Sequence, residues 1–212
     1  MKLLDSLDYK IRSEFIIKTN PLNFIYGNLP LSAELNATVE YAVNRNISVQ
    51  LGAAYVTKSP LLLLLGDSAT NTNLFEIISY QGYRIQLQGR YYTNLLKGVD
   101  VLDEITTDEI PTGLYLGLHA SYAYARVGDK NRVNFNEYIS AEHRNFNFIM
   151  GYQLHFTNQI IIDFGLGLGW KDNTWRLSES NGSMTLIDTQ DFGSWYNSNV
   201  NLFTNLSIGY AF

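Results

Sequence analysis

The residues best suited to covalent chemistry are His119 and Ser121, which are separated by a single alanine. Alternate side chains of a strand share a face, so on a strand these two would lie side by side. A histidine that takes the proton of a serine hydroxyl makes that oxygen a nucleophile for acyl transfer. Because an isolated pair of this kind is a weak motif, we keep catalysis by His119 and Ser121 as an alternative hypothesis.

The histidines lack the spacing of a metal site, and the glycines lack the spacing of a phosphate-binding loop. The chain contains no cysteine, and His143 and His155 do not have a separation typical of a zinc site. The glycine-rich segment 165–169 is not a phosphate loop, because Trp170 occupies the last glycine position of G-x-G-x-x-G. We expect its glycines to make room for bulky neighbours such as Tyr115. The sequence therefore predicts no metal site and no cofactor.

Charged side chains alternate with apolar ones along several segments. In 78–92, Arg84 and Arg90 alternate with Tyr83, Ile85 and Tyr91. A soluble β-sandwich would not normally bury a face that carries two arginines, whereas a polar barrel interior can. The full set predicted to face one interior is Glu14, Lys18, Glu34, Glu40, Arg84, Arg90 and Asp163.

The C-terminal stretch 196–212 has the clearest period of two. One face is apolar and the other carries small or amide side chains. The stretch is longer than the usual ~3–10 residues of a soluble strand, and it suits a tilted membrane-crossing strand of ~9–11 residues plus its rims. The final apolar positions, Ile208, Tyr210 and Phe212, resemble the C-terminal assembly signal of Gram-negative outer-membrane barrels.

Seven further segments repeat the alternation, at 13–24, 31–43, 47–57, 78–92, 113–127, 140–156 and 160–170. Asn44, Arg45 and Asn46 predict a tight turn, since asparagine tolerates positive φ, and 171–194 is expected to be a long polar loop. An even number of strands places both chain ends on one side, which is the periplasm in known barrels. We predict an all-β fold: an eight-stranded antiparallel up-and-down transmembrane β-barrel over 12–212, after a periplasmic lead-in over 1–11.

Composition agrees with a barrel that has a polar interior. The 212 residues include 15 tyrosines and 16 glycines, and the net charge of −5 gives no general attraction for nucleic acid. The longest aliphatic run is far shorter than the ~18 residues of a membrane-spanning helix. Asp5 interrupts the first apolar residues, so no export signal is recognised there, and we expect a processed form of an exported protein.

The interior of such a barrel is just wide enough for side chains to fill it. Buried charges must then pair, which predicts a salt-bridged plug in which Arg90 neutralises a carboxylate such as Glu40. The alternative is an ion pathway through the barrel.

Four short stretches suggest a family. They are Lys18-Thr19-Asn20, Arg90-Tyr91-Tyr92, Gly113-Leu114-Tyr115-Leu116-Gly117 and the terminal Gly209-Tyr210-Ala211-Phe212. With these, the chain resembles the small outer-membrane barrels of the OmpA/OmpX type, and more closely the uncharacterised small outer-membrane barrels of Bacteroidota. The resemblance implies a barrel in the Gram-negative outer membrane, surrounded by lipid and inserted by the β-barrel assembly machinery, but it implies no activity.

Eight-stranded lipid A deacylases of the outer membrane have a similar His-x-Ser pair. They expose that pair to lipid, however, whereas the alternation here points His119 and Ser121 inward. The Ser-Asn pair that usually follows is also missing, because Ser121 precedes Tyr122.

Two connections could carry function. An apolar run suits a partner contact or membrane dipping, or else extends the third strand; it consists of Leu61, Leu62, Leu63, Leu64 and Leu65. The acidic connection 94–112 could dock a periplasmic protein or remain solvated. We therefore expect a scaffold or accessory subunit of a larger outer-membrane assembly, with a lipid A deacylase-like enzyme and a diffusion pore as alternatives.

Overall fold

The computed structural model describes residues 15–29, 31–63, 78–93, 110–129, 138–156, 159–178, 184–186 and 198–212. The strands in these ranges are β1 (Phe15–Thr19), β2 (Ser32–Asn44), β3 (Ile47–Lys58), β4 (Ile78–Tyr92), β5 (Gly113–Asp129), β6 (Tyr138–His155), β7 (Ile160–Ser178), β8 (Met184–Leu186) and β9 (Val200–Ala211). Two 3-10 turns, η1 (Pro21–Phe24) and η2 (Pro60–Leu63), follow β1 and β3. No helix among the described residues is long and apolar enough to span a membrane.

Eight strands close into a single antiparallel barrel. Consecutive strands pair from β1 to β7, β9 follows β7, and β9 pairs with β1 to complete the circle. The short β8 adds only to one end of β7, where Leu177 pairs with Thr185. The all-β class and the eight-stranded antiparallel barrel predicted from the alternation are confirmed.

The two ends of the barrel are built differently. We call the end that carries Phe15 and Ala211 the terminal end, and the opposite end, where β1 leads to β2, the distal end. The β2–β3 turn lies at the terminal end, where Asn44 Oδ1 accepts from the backbone N of Asn46 at 2.8 Å and of Ile47 at 2.9 Å. The turn is confirmed, but the expected positive φ is wrong, because the asparagine side chain closes it. Among the described non-glycine residues only Leu31 has a positive φ.

The first strand is shorter than predicted. The segment 13–24 was expected to be one strand, whereas β1 ends at Thr19 and η1 follows. Asn20 Oδ1 accepts from the Leu22 backbone N at 3.0 Å, and Pro21 begins the 3-10 turn. A capped turn that starts with proline cannot continue the ladder, since proline has no N–H to donate.

The seventh strand is longer than predicted. Residues 171–178 were expected in a loop, yet they continue β7 and pair with β6 as far as Tyr138↔Ser178. The alternation is hidden there because polar residues occupy both faces. One of the inward residues, Trp175, is buried at the distal end of the interior.

The barrel wall separates apolar from polar side chains. Outward leucines are widely exposed on the isolated chain, with Leu51 at 66%, Leu166 at 62% and Leu168 at 63%. Many inward positions hold polar or charged groups that are almost fully buried. The predicted facing of β4 is confirmed, since Arg84 and Arg90 are buried among the inward positions.

Apolar residues from the connections cover both mouths of the interior. At the distal end Leu29, from the β1–β2 connection, packs into a cluster with Val56, Tyr80, Ala123, Ala125, Ala141 and Trp175. At the terminal end Ile110 packs against Ile16, Ile161 and Ala211. The polar interior is therefore enclosed between two apolar covers, Leu29 and Ile110.

Candidate functional site

The terminal half of the interior holds a four-residue ion cluster, which consists of Lys18, Glu40, Arg90 and Asp163. Lys18 Nζ lies 2.5 Å from Glu40 Oε2 and 2.9 Å from Asp163 Oδ2. Arg90 Nη2 lies 2.6 Å from Asp163 Oδ2, and its Nη1 lies 3.8 Å from Glu40 Oε2. The four come from β1, β2, β4 and β7, so inward side chains of four different strands converge on one point. The expected ion pair of Arg90 with Glu40 is present, but the contact of Arg90 with Asp163 is shorter.

Neutral side chains satisfy the remaining lone pairs of the ion cluster. The Tyr115 hydroxyl donates to Asp163 Oδ1 at 2.8 Å, and the Tyr92 hydroxyl donates to Glu40 Oε1 at 2.8 Å. Ser48 also donates to Glu40 Oε1, and Gln50 Nε2 donates to Glu40 Oε2 at 2.9 Å. Buried ions are tolerated when their other hydrogen-bonding sites are filled in this way.

Gln153 and the ring of Tyr115 complete the packing around the ion cluster. Gln153 Oε1 accepts from Lys18 Nζ at 2.5 Å and from Arg90 Nη1 at 3.2 Å, while its Nε2 donates to the backbone O of Pro111 at 2.9 Å. The Arg90 guanidinium lies 4.1 Å from the centre of the Tyr115 ring. Gln153 thus connects the ion cluster to the connection that carries the terminal cover.

Two glycines give Tyr115 the space that it occupies. A Cβ on Gly165 would lie 2.9 Å from the Tyr115 hydroxyl, and one on Gly151 would be closer still to the same ring. The prediction that these glycines make room for Tyr115 is confirmed at Gly165.

A second ion pair lies toward the distal end. Arg84 donates to Glu34 Oε2 from both Nε and Nη2 at 2.7 Å, and its Nη1 donates to Gln86. Glu34 Oε1 also accepts from the backbone N of Asn28 at 2.8 Å. The interior thus holds three cations and three anions among the described predicted residues, and all six are paired. Glu14, the seventh predicted charge, lies outside the described residues.

A polar cavity of about 100 Å³ lies beside this second pair. Its walls come from the inward faces of β2, β3 and β4, from β9, and from the segment 20–28 that follows β1. Amide side chains dominate the lining, with Asn20, Asn36, Asn201, Asn205 and Gln50 among them.

His119 and Ser121 both face the interior, but the structure gives them different partners. The Ser121 hydroxyl donates to Asn145 Oδ1 at 3.1 Å. His119 Nδ1 accepts from Asn147 Nδ2 at 3.2 Å, so its Nε2 carries the proton; this nitrogen is buried without a hydrogen-bond partner in the described part of the chain. The His119 ring lies 4.5 Å from that of Phe203. An acyl-transfer pair would need a hydrogen bond between histidine and serine, and here both groups hydrogen-bond asparagines instead.

His143 takes part in a similar amide contact. Its Nδ1 lies 2.5 Å from Asn173 Oδ1, so it donates there, and its Nε2 accepts from Asn145 Nδ2 at 3.0 Å. Among the described residues no three histidine, aspartate or glutamate side chains are arranged to hold a metal ion.

The other predicted site residues lie on the rim and the outer wall. Ile208, Tyr210 and Phe212 point outward at the terminal end, where the Tyr210 and Phe212 rings meet at 5.0 Å. At the distal end, residues 60–63 form η2, so the alternative that the leucine run extends the third strand is wrong for Leu61, Leu62 and Leu63. Leu64, Leu65 and residues 94–109 of the acidic connection lie outside the described residues.

Sequence reasoning missed the neutral partners of the ions. Tyr92, Tyr115, Ser48 and Gln153 occupy inward positions of their strands, and this shared facing was the signal that could have identified them. No known family model and no curated protein matches the chain.

Proposed function

We propose that this chain is an integral outer-membrane β-barrel that serves as a structural scaffold or accessory subunit of a larger outer-membrane assembly, with a packed interior and no open pore. The observation that carries the proposal is the inverted distribution of polarity. Among the described residues, four cations and three carboxylates are buried, while large apolar side chains cover the outside of the wall. Soluble monomers rarely expose apolar patches larger than a few hundred Å², so this wall needs a hydrocarbon environment.

Aromatic residues support a membrane position. Tyr41, Tyr91, Tyr210 and Phe212 are exposed near the terminal end, and Tyr55 and Trp170 are exposed toward the distal end. Membrane barrels carry such aromatic girdles at both interfaces, where the ring stays apolar and its polar atom meets water. The short β2–β3 turn lies at the terminal end, which supports a periplasmic position for that end.

Insertion into lipid vesicles tests the membrane position. The purified protein should require detergent, enter vesicles of outer-membrane phospholipid and resist extraction by alkaline carbonate. Its barrel strands should also be protected from added protease. A chain that is monomeric and soluble without detergent would contradict the proposal.

The two covers and the ion cluster argue for a closed interior rather than a diffusion pore. The interior of an eight-stranded barrel is filled by side chains, and Leu29 and Ile110 lie across its two mouths. We expect no steady conductance in planar bilayers, and a stable unitary current would favour the pore.

The contacts of His119 and Ser121 favour a scaffold over a lipid-modifying enzyme. Mass spectrometry of lipid A from cells with and without the protein tests this choice. We expect identical acylation, including in cells that carry His119→Ala. A loss of acyl chains that depends on His119 and Ser121 would establish the deacylase alternative.

Crosslinking in native membranes tests the assembly role. If the barrel is an accessory subunit, it should be recovered with the same outer-membrane or periplasmic proteins in independent preparations. A matched barrel of similar abundance provides the control for random crosslinks. Recovery as a monomer without reproducible partners would contradict the assembly role but not the membrane position.

A further inference from the structure

The barrel wall lacks a strand in part of its distal half. β1 pairs with β9 only as far as Thr19↔Ile208 and with β2 only as far as Lys18↔Thr38. β9 extends beyond this level to Val200, and β2 begins beyond it at Ser32. Where β1 would have continued, η1 packs against both β9 and β2, but no strand pairs with β9 on that side, and we call this stretch of wall the side opening.

One border of the side opening is an unpaired strand edge. The Phe212 backbone N donates to Phe15 O, whereas the Ala211 backbone N donates to Gln159 O on the other side. The backbone N–H and C=O groups of successive strand residues point to opposite sides. Those of the even-numbered residues Leu202, Thr204 and Leu206 therefore point toward the side opening, like those of Phe212. No hydrogen bond joins these groups to another described residue. Unpaired backbone groups are costly away from water, especially at the depth of a bilayer.

Amide side chains, instead of a ladder, connect across the base of the opening. Asn20 and Asn36 bond each other twice, through Asn20 N to Asn36 Oδ1 at 2.8 Å and Asn36 Nδ2 to Asn20 O at 3.1 Å. Asn20 Nδ2 then donates to Asn205 Oδ1 at 3.2 Å. The backbone edge beyond this contact is left for another occupant.

The 100 Å³ polar cavity lies directly behind the side opening, because Leu202, Thr204, Asn20 and Asn36 belong to its lining. It is large enough for several waters or for a small headgroup. Three lining groups have no hydrogen-bond partner in the part of the chain that the structure describes: Asn205 Nδ2, Asn201 Oδ1 and Gln50 Oε1. They present both donors and acceptors.

Charge determines which headgroup suits the cavity. Lys18 and Arg84 line it, but both are already paired with buried carboxylates. An anionic headgroup would compete with those carboxylates, and a cationic one would meet the paired cations. A hydroxyl both donates and accepts, so an uncharged headgroup with two hydroxyls matches the free groups and the unpaired backbone.

We propose that the side opening and its cavity bind the uncharged dihydroxy headgroup of a single-chain lipid, with a monoacylglycerol as the model compound. The acyl chain stays outside the wall, against Leu202 and Leu35, which are 54% and 58% exposed. The headgroup reaches the cavity through the wall because Leu29 covers the distal mouth. This inference rests on the proposed membrane position.

Photo-crosslinking in detergent micelles tests the proposal without requiring membrane insertion. The probe is a monoacylglycerol with a diazirine on its headgroup, and the labelled peptides are identified by mass spectrometry. We expect labels on residues 20–28 and 201–207. Unlabelled monoacylglycerol should compete, whereas the free fatty acid of equal chain length should not, since it carries a carboxylate.

Matched asparagine variants separate binding from folding. Asn205→Leu removes a free donor and the acceptor of Asn20, and should weaken probe binding about tenfold, or about 1.4 kcal/mol. Asn145→Leu alters an inward asparagine that is not part of the cavity lining, and should leave binding unchanged. Leu202→Trp changes a residue on the outer border of the side opening and leaves the interior hydrogen bonds intact. It should also reduce labelling, and it keeps the test available if Asn205→Leu fails to fold.

Three results would overturn the proposal. They are labels spread evenly over the outer wall, equal competition by the fatty acid, and equal binding by wild type, Asn205→Leu and Leu202→Trp. The membrane position is tested separately by vesicle insertion, so failure of the lipid site and failure of the proposed function give different results.

Discussion

In the terminal half of the interior, Lys18, Arg90, Glu40 and Asp163 touch one another directly, and tyrosine, serine and glutamine side chains fill their remaining bonding sites. In the distal half, serine, asparagine and histidine side chains form a chain of neutral hydrogen bonds, and a separate ion pair lies beside a polar cavity. The wall differs in the same sense, because β1 completes it only in the terminal half.

The difference indicates that the terminal half contributes more to the stability of the barrel, whereas side chains of the distal half exchange their hydrogen-bond partners more easily. Charges that satisfy one another hold four strands in a fixed relation, and removing one leaves the others uncompensated. Amides beside a cavity can exchange a protein partner for water or a ligand with little loss, because water-mediated bonds are nearly as favourable as direct ones. Substitutions of similar size should therefore cost more in the terminal half.

The largest effect is expected for Asp163→Ala. The change leaves Lys18 and Arg90 with one shared carboxylate and removes the acceptor of the Tyr115 hydroxyl. Breaking a buried ion pair from one side typically costs about 3–5 kcal/mol. The free energy of unfolding, measured by urea titration in detergent, should fall by about that amount.

Asp163→Asn provides the graded control, since it keeps one acceptor oxygen and the shape of the side chain. It should lose less stability than Asp163→Ala. An unchanged urea midpoint for both variants would mean that the ion cluster does not hold the terminal half together.

The next largest effect is expected at the distal cover. Leu29→Ala removes most of a side chain that is 1% exposed and packs against Trp175 and Val56. We expect a loss of about 2–3 kcal/mol, the lower part of the range for buried leucines, because the connection can settle into the space. Leu22→Ala, at a 49% exposed position of the same connection, should change the urea midpoint little. Equal losses of stability in the two variants would show that the packing of Leu29 across the distal mouth does not stabilise the barrel.

The sequence predicted the wall better than the interior. Alternation identifies a strand wherever its two faces differ, as in β2 and β4, so these strands begin and end close to their predicted limits. It fails in the distal part of β7, where both faces are polar, and in β1, where Asn20 and Pro21 end the ladder early.

The interior contacts were harder to predict, because alternation gives the facing of a residue but not its height or its partner. Arg90 and Asp163 lie on β4 and β7, which are not neighbours in the sheet, so their 2.6 Å contact depends on the curvature of the closed barrel. Leu29 and Ile110 come from connections without periodicity, and nothing in their local sequence distinguishes them from exposed apolar residues.

A smaller effect is expected for Arg84→Gln, which tests the comparison in the distal half. Glu34 loses its cation but keeps the backbone N–H of Asn28 at 2.8 Å and adjoins the segment around the cavity, where water can enter. We expect a loss of about 1.5–3 kcal/mol, the range for hydrogen bonds to charged groups. The comparison predicts that this loss, again from urea titration, is smaller than that of Asp163→Ala. If Arg84→Gln lost more stability than Asp163→Ala, the terminal half could not be the more stabilising half of the barrel.

The smallest effect is expected for an ion pair whose arginine side chains are exposed. Glu142 lies 2.6 Å from Arg176 and 3.1 Å from Arg144, whose side chains are 38% and 58% exposed. Exposed pairs contribute about 0–1 kcal/mol, so Glu142→Gln should shift the urea midpoint only slightly at low salt. At 1 M salt, where screening acts over ~3 Å, the shift should vanish, whereas the loss caused by Asp163→Ala should persist. An equal salt dependence of the two variants would mean that solvent ions reach Asp163, and the closed terminal half would have to be abandoned.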